Sequence, residues 1–132
     1  MLTSRTWERQ ARLAFASYLP GDAYIGEFTV TVSADGLTAS APVITTPEGY
    51  GLPGFMQELA DDFRGWDGTR LWRSLENQLR VEATWQDGGH VALLFHLTPS
   101  VYDKWTLSVE FTLEAGEELR TFGEDLDAFM NN

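Results

Sequence analysis

Apolar and polar residues alternate with period two over much of the chain, the pattern of strands with one buried face. Ala11, Leu13 and Phe15 alternate with Arg12 and Ala14, which predicts a first strand. Tyr24, Phe28, Val30 and Val32 share one side of a second strand, with Glu27, Thr29 and Thr31 on the other. Asp35-Gly36 is a two-residue turn of the kind that closes a hairpin. Pairing Ala34 with Leu37 across it sets Val32 against Ala39, Val30 against Ala41 and Phe28 against Val43, so the apolar residues meet only each other. A second hairpin is predicted over 75–97, turning at Asp87-Gly88-Gly89. It pairs Trp85 with Val91, Ala83 with Leu93, Val81 with Phe95 and Leu79 with Leu97. In the last strand Trp105, Leu107, Val109, Phe111 and Leu113 are expected inward, and Thr106, Ser108, Glu110 and Thr112 outward.

Two stretches change period to that of a helix. Phe55, Met56, Leu59 and Phe63 form one apolar stripe, with Gly65 placed to end the helix in the left-handed conformation. The glycines and prolines of 47–54 predict a loop before it. Ala115, Leu119, Phe122, Leu126, Phe129 and Met130 form the stripe of a closing helix over 115–130. The order is βββαβββα. The expected fold is α+β, a mostly antiparallel sheet of about six strands with two helices packed on one face. At 132 residues the chain has room for one such domain, spanning 1–132.

Composition narrows the function classes. Twenty acidic against nine basic residues give a net charge of −11, which argues against nucleic-acid or membrane binding through a broad basic face. The absence of cysteine excludes disulfides, thiolate metal sites and a cysteine nucleophile. No apolar run approaches a membrane span, the longest being Val91–Phe95, and residues 1–12 lack the apolar segment of a signal peptide. The expected compartment is therefore the cytoplasm.

No motif for catalysis or for a cofactor stands out. His90 and His96 share a strand face about 20 Å apart, too far to share a metal within one strand. No serine or aspartate is placed by the sequence beside either histidine as a triad. The hydrolase elbow, P-loop, dinucleotide and zinc-helix patterns are absent, and Gly49, Gly51 and Gly54 lack the Lys-Ser or Lys-Thr of a phosphate cradle. No metal and no cofactor is expected. Trp85 and Trp105 fall on inward positions, and Trp66 and Trp72 flank the turn after the first helix, so tryptophan reads as packing. Of the outer-face positions most are hydroxylic, interrupted by Ala92, Leu94 and His96.

The acids are more informative. Residues 100–132 hold eight of the twenty. Glu114, Glu117 and Glu118 fall at the start of the closing helix, where the macrodipole favours them. Glu124, Asp125 and Asp127 fall toward its end, and Asp61 and Asp62 at the end of the first helix, where acids are disfavoured. Helix stability does not account for these five, which makes them the candidate partner-binding residues.

The runs Phe63-Arg64-Gly65-Trp66-Asp67-Gly68, Trp72-Arg73-Ser74-Leu75-Glu76, Gly89-His90-Val91-Ala92-Leu93 and Leu113-Glu114-Ala115-Gly116-Glu117, with Trp105, resemble the signature of a small bacterial domain-of-unknown-function family. In strand order and the strand-to-helix junction near Leu113–Glu117 the chain is more distantly similar to the WapI-type immunity proteins. That similarity implies a non-enzymatic protein that neutralises a toxin by binding it, here a basic partner such as a toxin domain. The alternative is a small-molecule-binding module with a pocket between sheet and helices, rimmed by Trp66, Trp72 and the 47–54 loop.

Overall fold

A computed structural model describes residues 5–8 (as backbone), 11–19, 26–34, 36–45, 51–99 and 105–130. The fold is α+β, built from antiparallel sheets and two helices. Among the described residues eight strands form two sheets in place of a single sheet of about six. Strands β1 (Arg5–Glu8), β2 (Ala11–Leu19), β3 (Gly26–Ala34) and β4 (Leu37–Thr45) make the N-terminal sheet, in that order. After helix α1 (Leu52–Asp61), strands β5 (Thr69–Arg73), β6 (Leu79–Gln86), β7 (His90–Leu97) and β8 (Leu107–Glu114) make the C-terminal sheet, followed by α2 (Glu117–Met130). The two additional strands, β1 and β5, are four and five residues long and too short to show an alternation of their own. The sheets touch at their margins: Leu75 N–H donates to Ile44 O (3.0 Å), and β1 approaches β8.

Both hairpins have the register set by their turns. Val32 faces Ala39, Val30 faces Ala41 and Phe28 faces Val43 across β3–β4. Trp85 faces Val91, Ala83 faces Leu93, Val81 faces Phe95 and Leu79 faces Leu97 across β6–β7. Gly36, Gly88 and Gly89 take the positive φ those turns require. Tyr24 and the loop residues Pro47 and Gly49 lie outside the described residues.

One hydrophobic cluster draws on both sheets and both helices. Phe122 of α2 lies 6.3 Å from Phe15 on β2 and 6.4 Å from Phe95 on β7, ring centre to ring centre. Phe129, two turns on, meets Phe15, Phe28 and Tyr18. Tyr18 reaches this cluster because β2 bulges after Ala16, with Ser17 at φ 60°, which shifts the inward parity by one residue. Gly26 makes room for the ring: a Cβ there would stand 2.9 Å from the Tyr18 hydroxyl.

Four expected burials are corrected. Trp105 is 41% exposed and precedes β8, and Leu107 and Val109 are half-buried; of that strand only Phe111 and Leu113 are fully inside. The faces are as the alternation predicts, but β8 is an outer strand of its sheet, paired on one side. Its C-terminal half, next to the junction with α2, is the part that reaches the core. Phe63 is 50% exposed because α1 ends at Asp61, one turn early, and the ring carries the Arg64 guanidinium at 5.5 Å. Gly65 is therefore not the residue that ends the helix. It takes φ 111° in the following turn, where its bare Cα lets Trp85 approach; a Cβ would lie 2.9 Å from the indole.

Two stability outcomes follow from these contacts. Phe122→Ala removes the ring shared by both sheets and should cost about 3–5 kcal/mol, measured by denaturant unfolding. Gly65→Ala should cost more than Gly68→Ala, since Gly68 shares the positive φ but has open space around it; the backbone strain alone is worth about 1–3 kcal/mol. Equal losses at the two glycines would remove the role given to the Trp85 contact.

Candidate binding surfaces

The helices pack side by side and antiparallel. Gly123 of α2 lies so close to α1 that a Cβ there would be 3.2 Å from Met56 Cβ, and Arg120 Nη2 lies 3.8 Å from Asp61 Oδ1. The first turn of α2 is organised by its own acids. Glu114 N–H donates to Glu118 Oε1 (2.7 Å), and Glu117 N–H donates to Glu114 Oε1 (3.3 Å). Reciprocal bonds of this kind satisfy donors that a helix start leaves unpaired.

The five candidate acids separate into two groups on this pair. Asp61 accepts from Gln57 Nε2 (2.9 Å) and stands near Arg120. Asp62 pairs with Arg70 at 2.7 Å. Arg70 and Arg120 thus offset the acidic end of α1. Glu124 and Asp127 are exposed and Asp125 is half-buried. Arg120 and Asp127 are seven residues apart, about 10 Å along the helix, so the second group lies toward the opposite end of the pair. Glu58, Glu117 and Glu118 are exposed on the same two helices. The outer surface of the pair is therefore acidic along its length, with Arg120 its single basic residue.

Trp66 and Trp72 are committed to packing. Trp72 is buried; the Trp66 ring lies 6.0 Å from Trp85, donates from Nε1 to Ala83 O (3.3 Å) and carries the Arg70 guanidinium at 4.7 Å. Ser74 is buried in the β5–β6 turn, where its Oγ accepts from Leu79 N–H and donates to Gln78 Oε1. Ala115 N–H donates to Gly89 O (2.9 Å), which joins the Gly89 and Leu113–Glu117 runs in space. These motif residues hold turns and junctions.

One constellation was not legible in the sequence. On the outer face of the C-terminal sheet, His96 Nδ1 lies 2.6 Å from Ser108 Oγ, and its Nε2 lies 2.5 Å from Glu82 Oε2. The hairpin turn already set His96 against Arg80, and so placed Glu82 diagonal to it. Ser108 joins from β8, whose connection to β7 is too long for a turn to set the pairing. The residues have the types and order of a nucleophile, a base and its orienter. They stand on the open face of a sheet, among the exposed Thr106, Glu110 and Thr112. On this face hydroxyls also pair across strands: Thr69 with Thr84 (3.1 Å) and Thr98 with Thr106 (2.7 Å). The row therefore reads as a cross-strand polar ladder that stiffens the sheet. Among the described residues no three His, Cys, Asp or Glu side chains converge as a metal site, and no helix is long and apolar enough to cross a membrane.

These features define a small α+β protein whose two antiparallel sheets share one core with a helix pair that is acidic on its outer surface. The chain belongs to DUF6228, a family of unknown function, whose family model matches residues 4–132. Comparison with curated proteins finds no match.

Ser108 is expected to resist a fluorophosphonate probe in the folded protein, because a ladder hydroxyl lacks the enclosed, donor-lined site of an activated serine. Intact-mass measurement checks this. Stoichiometric labelling that disappears in Ser108→Ala would instead make the row a nucleophilic site.

Proposed function

We propose that the protein is a non-enzymatic protein-binding domain that presents the outer surface of α1 and α2 to a basic partner, in the manner of an immunity protein bound to a toxin domain. The supporting observation is the segregation of α2: Leu119, Phe122, Leu126 and Phe129 are buried, while Glu117, Glu118, Glu124 and Asp127 are exposed. Glu58 and Asp61 extend the same surface onto α1. The helix dipole opposes the acids near the end of α2, so the dipole does not account for their placement. A surface of one sign raises the encounter rate with an oppositely charged partner by roughly 10- to 10³-fold. The distant similarity to the WapI-type immunity proteins points to the same kind of activity. Trp66 and Trp72, which would rim a small-molecule pocket, are already engaged in packing, which favours the surface over the interior.

The direct test uses the product of the reading frame next to this gene, expressed with and without the protein. If that product is a basic toxin, co-expression should restore growth, and the purified pair should associate faster at low salt than at high salt. Glu58→Gln, Glu124→Gln and Asp127→Asn combined should leave the fold intact, slow association and flatten its salt dependence. An unchanged rate and salt response would remove the helix pair as the docking surface.

A further inference from the structure

The outer face of the C-terminal sheet contains a pairing that local stability does not explain. Arg73 on β5 faces Arg80 on β6. The neighbouring bond from Ser74 N–H to Leu79 O (2.8 Å) sets the parity of this ladder. Because the Ser74 N–H is directed at β6, the backbone N–H and C=O of Arg73 are directed away from it, so 73 and 80 form the non-hydrogen-bonded, closer kind of pair, with Cα atoms about 4.5 Å apart. Trp72, Leu79 and Val81 point inward, so both arginines project from the outer face. Like charges directly opposite each other across a sheet are destabilising. Composition does not force the arrangement, since acids outnumber basic groups twenty to nine. Among the described residues neither guanidinium has an ion-pair partner, whereas Arg70 and Arg120 do. Glu82, the acid two residues along β6 on the same face, has its Oε2 on His96.

We propose that Arg73 and Arg80 form a binding site for a phosphoryl group. A dianion offsets both positive charges where a carboxylate offsets one, and its oxygens match the two guanidinium forks. Next in the same row come His96 and Ser108. His96 is held by Glu82 on one side and Ser108 on the other, so the wall beside Arg80 is fixed before any ligand arrives. The site is on the sheet, stands apart from the acidic helix surface, and does not depend on that surface binding a partner.

The probes are inorganic phosphate and a nucleoside monophosphate, each titrated against chloride at constant ionic strength while the arginine Nε–H signals are followed by NMR. Saturable shifts of Arg73 and Arg80 are expected with one or both probes, and the tighter one identifies the source of the group. Arg73→Gln or Arg80→Gln should weaken binding about tenfold or more, the effect of losing one charge-assisted contact. Thermal unfolding gives an independent readout. In chloride each variant should be as stable as the wild type or slightly more so, and the stabilisation specific to phosphate should be confined to the wild type. The proposal is overturned if neither probe saturates, if phosphate stabilises variants and wild type equally, or if the variants lose stability in chloride.

Discussion

The Phe122 ring is where the two halves of this molecule meet. It touches Phe15 of the N-terminal sheet and Phe95 of the C-terminal sheet from a single turn of α2. Each sheet has one apolar face, and neither can leave it in water. Helix α2 offers apolar residues to both faces at once, with Phe129 continuing the contact toward Phe28 and Tyr18. Helix α1 is then placed by α2, because Gly123 lets the Met56 turn come close. A larger residue at 123 would press on α1 and disturb how both helices sit.

This arrangement divides the surface by charge. The apolar sides of the helices are used by the sheets, so their acids are left outward. On the far side of the core, the outer face of the C-terminal sheet has hydroxyls, the Glu82–His96–Ser108 row and the facing arginines. A net charge of −11 describes neither surface. The molecule carries an acidic helical side and a local basic spot on a sheet.

The residues at the turns and junctions have a different part. Gly65 gives Trp85 room, Trp66 bonds to Ala83 O, Ser74 closes the β5–β6 turn, and Gly89 O holds the start of the last helix segment through Ala115. They explain how the chain turns corners. The charged candidates lie mostly beside them: Asp61 and Asp62 just before the Gly65 turn, Arg73 within the Trp72 run, and Arg80 one strand further on.

Local pattern determined whatever a short stretch of chain can specify. Alternation chose the inward face of each long strand, and the Asp35-Gly36 and Asp87-Gly88-Gly89 turns set both hairpin registers, because a one-residue slip would put every apolar side chain in water. Helical periodicity found the buried sides of α1 and α2 and left most of their acids exposed. Tertiary structure decided what depends on residues distant in sequence. The division into two sheets, the exposure of Trp105, the partners of Asp61 and Asp62, and the meeting of His96 with Ser108 each needed a neighbour that no turn or period specifies. The facing of Arg73 and Arg80 lies between these cases. Both residues and their spacing are in the sequence, but a five-residue strand with no alternation of its own became visible only when β6 paired with it.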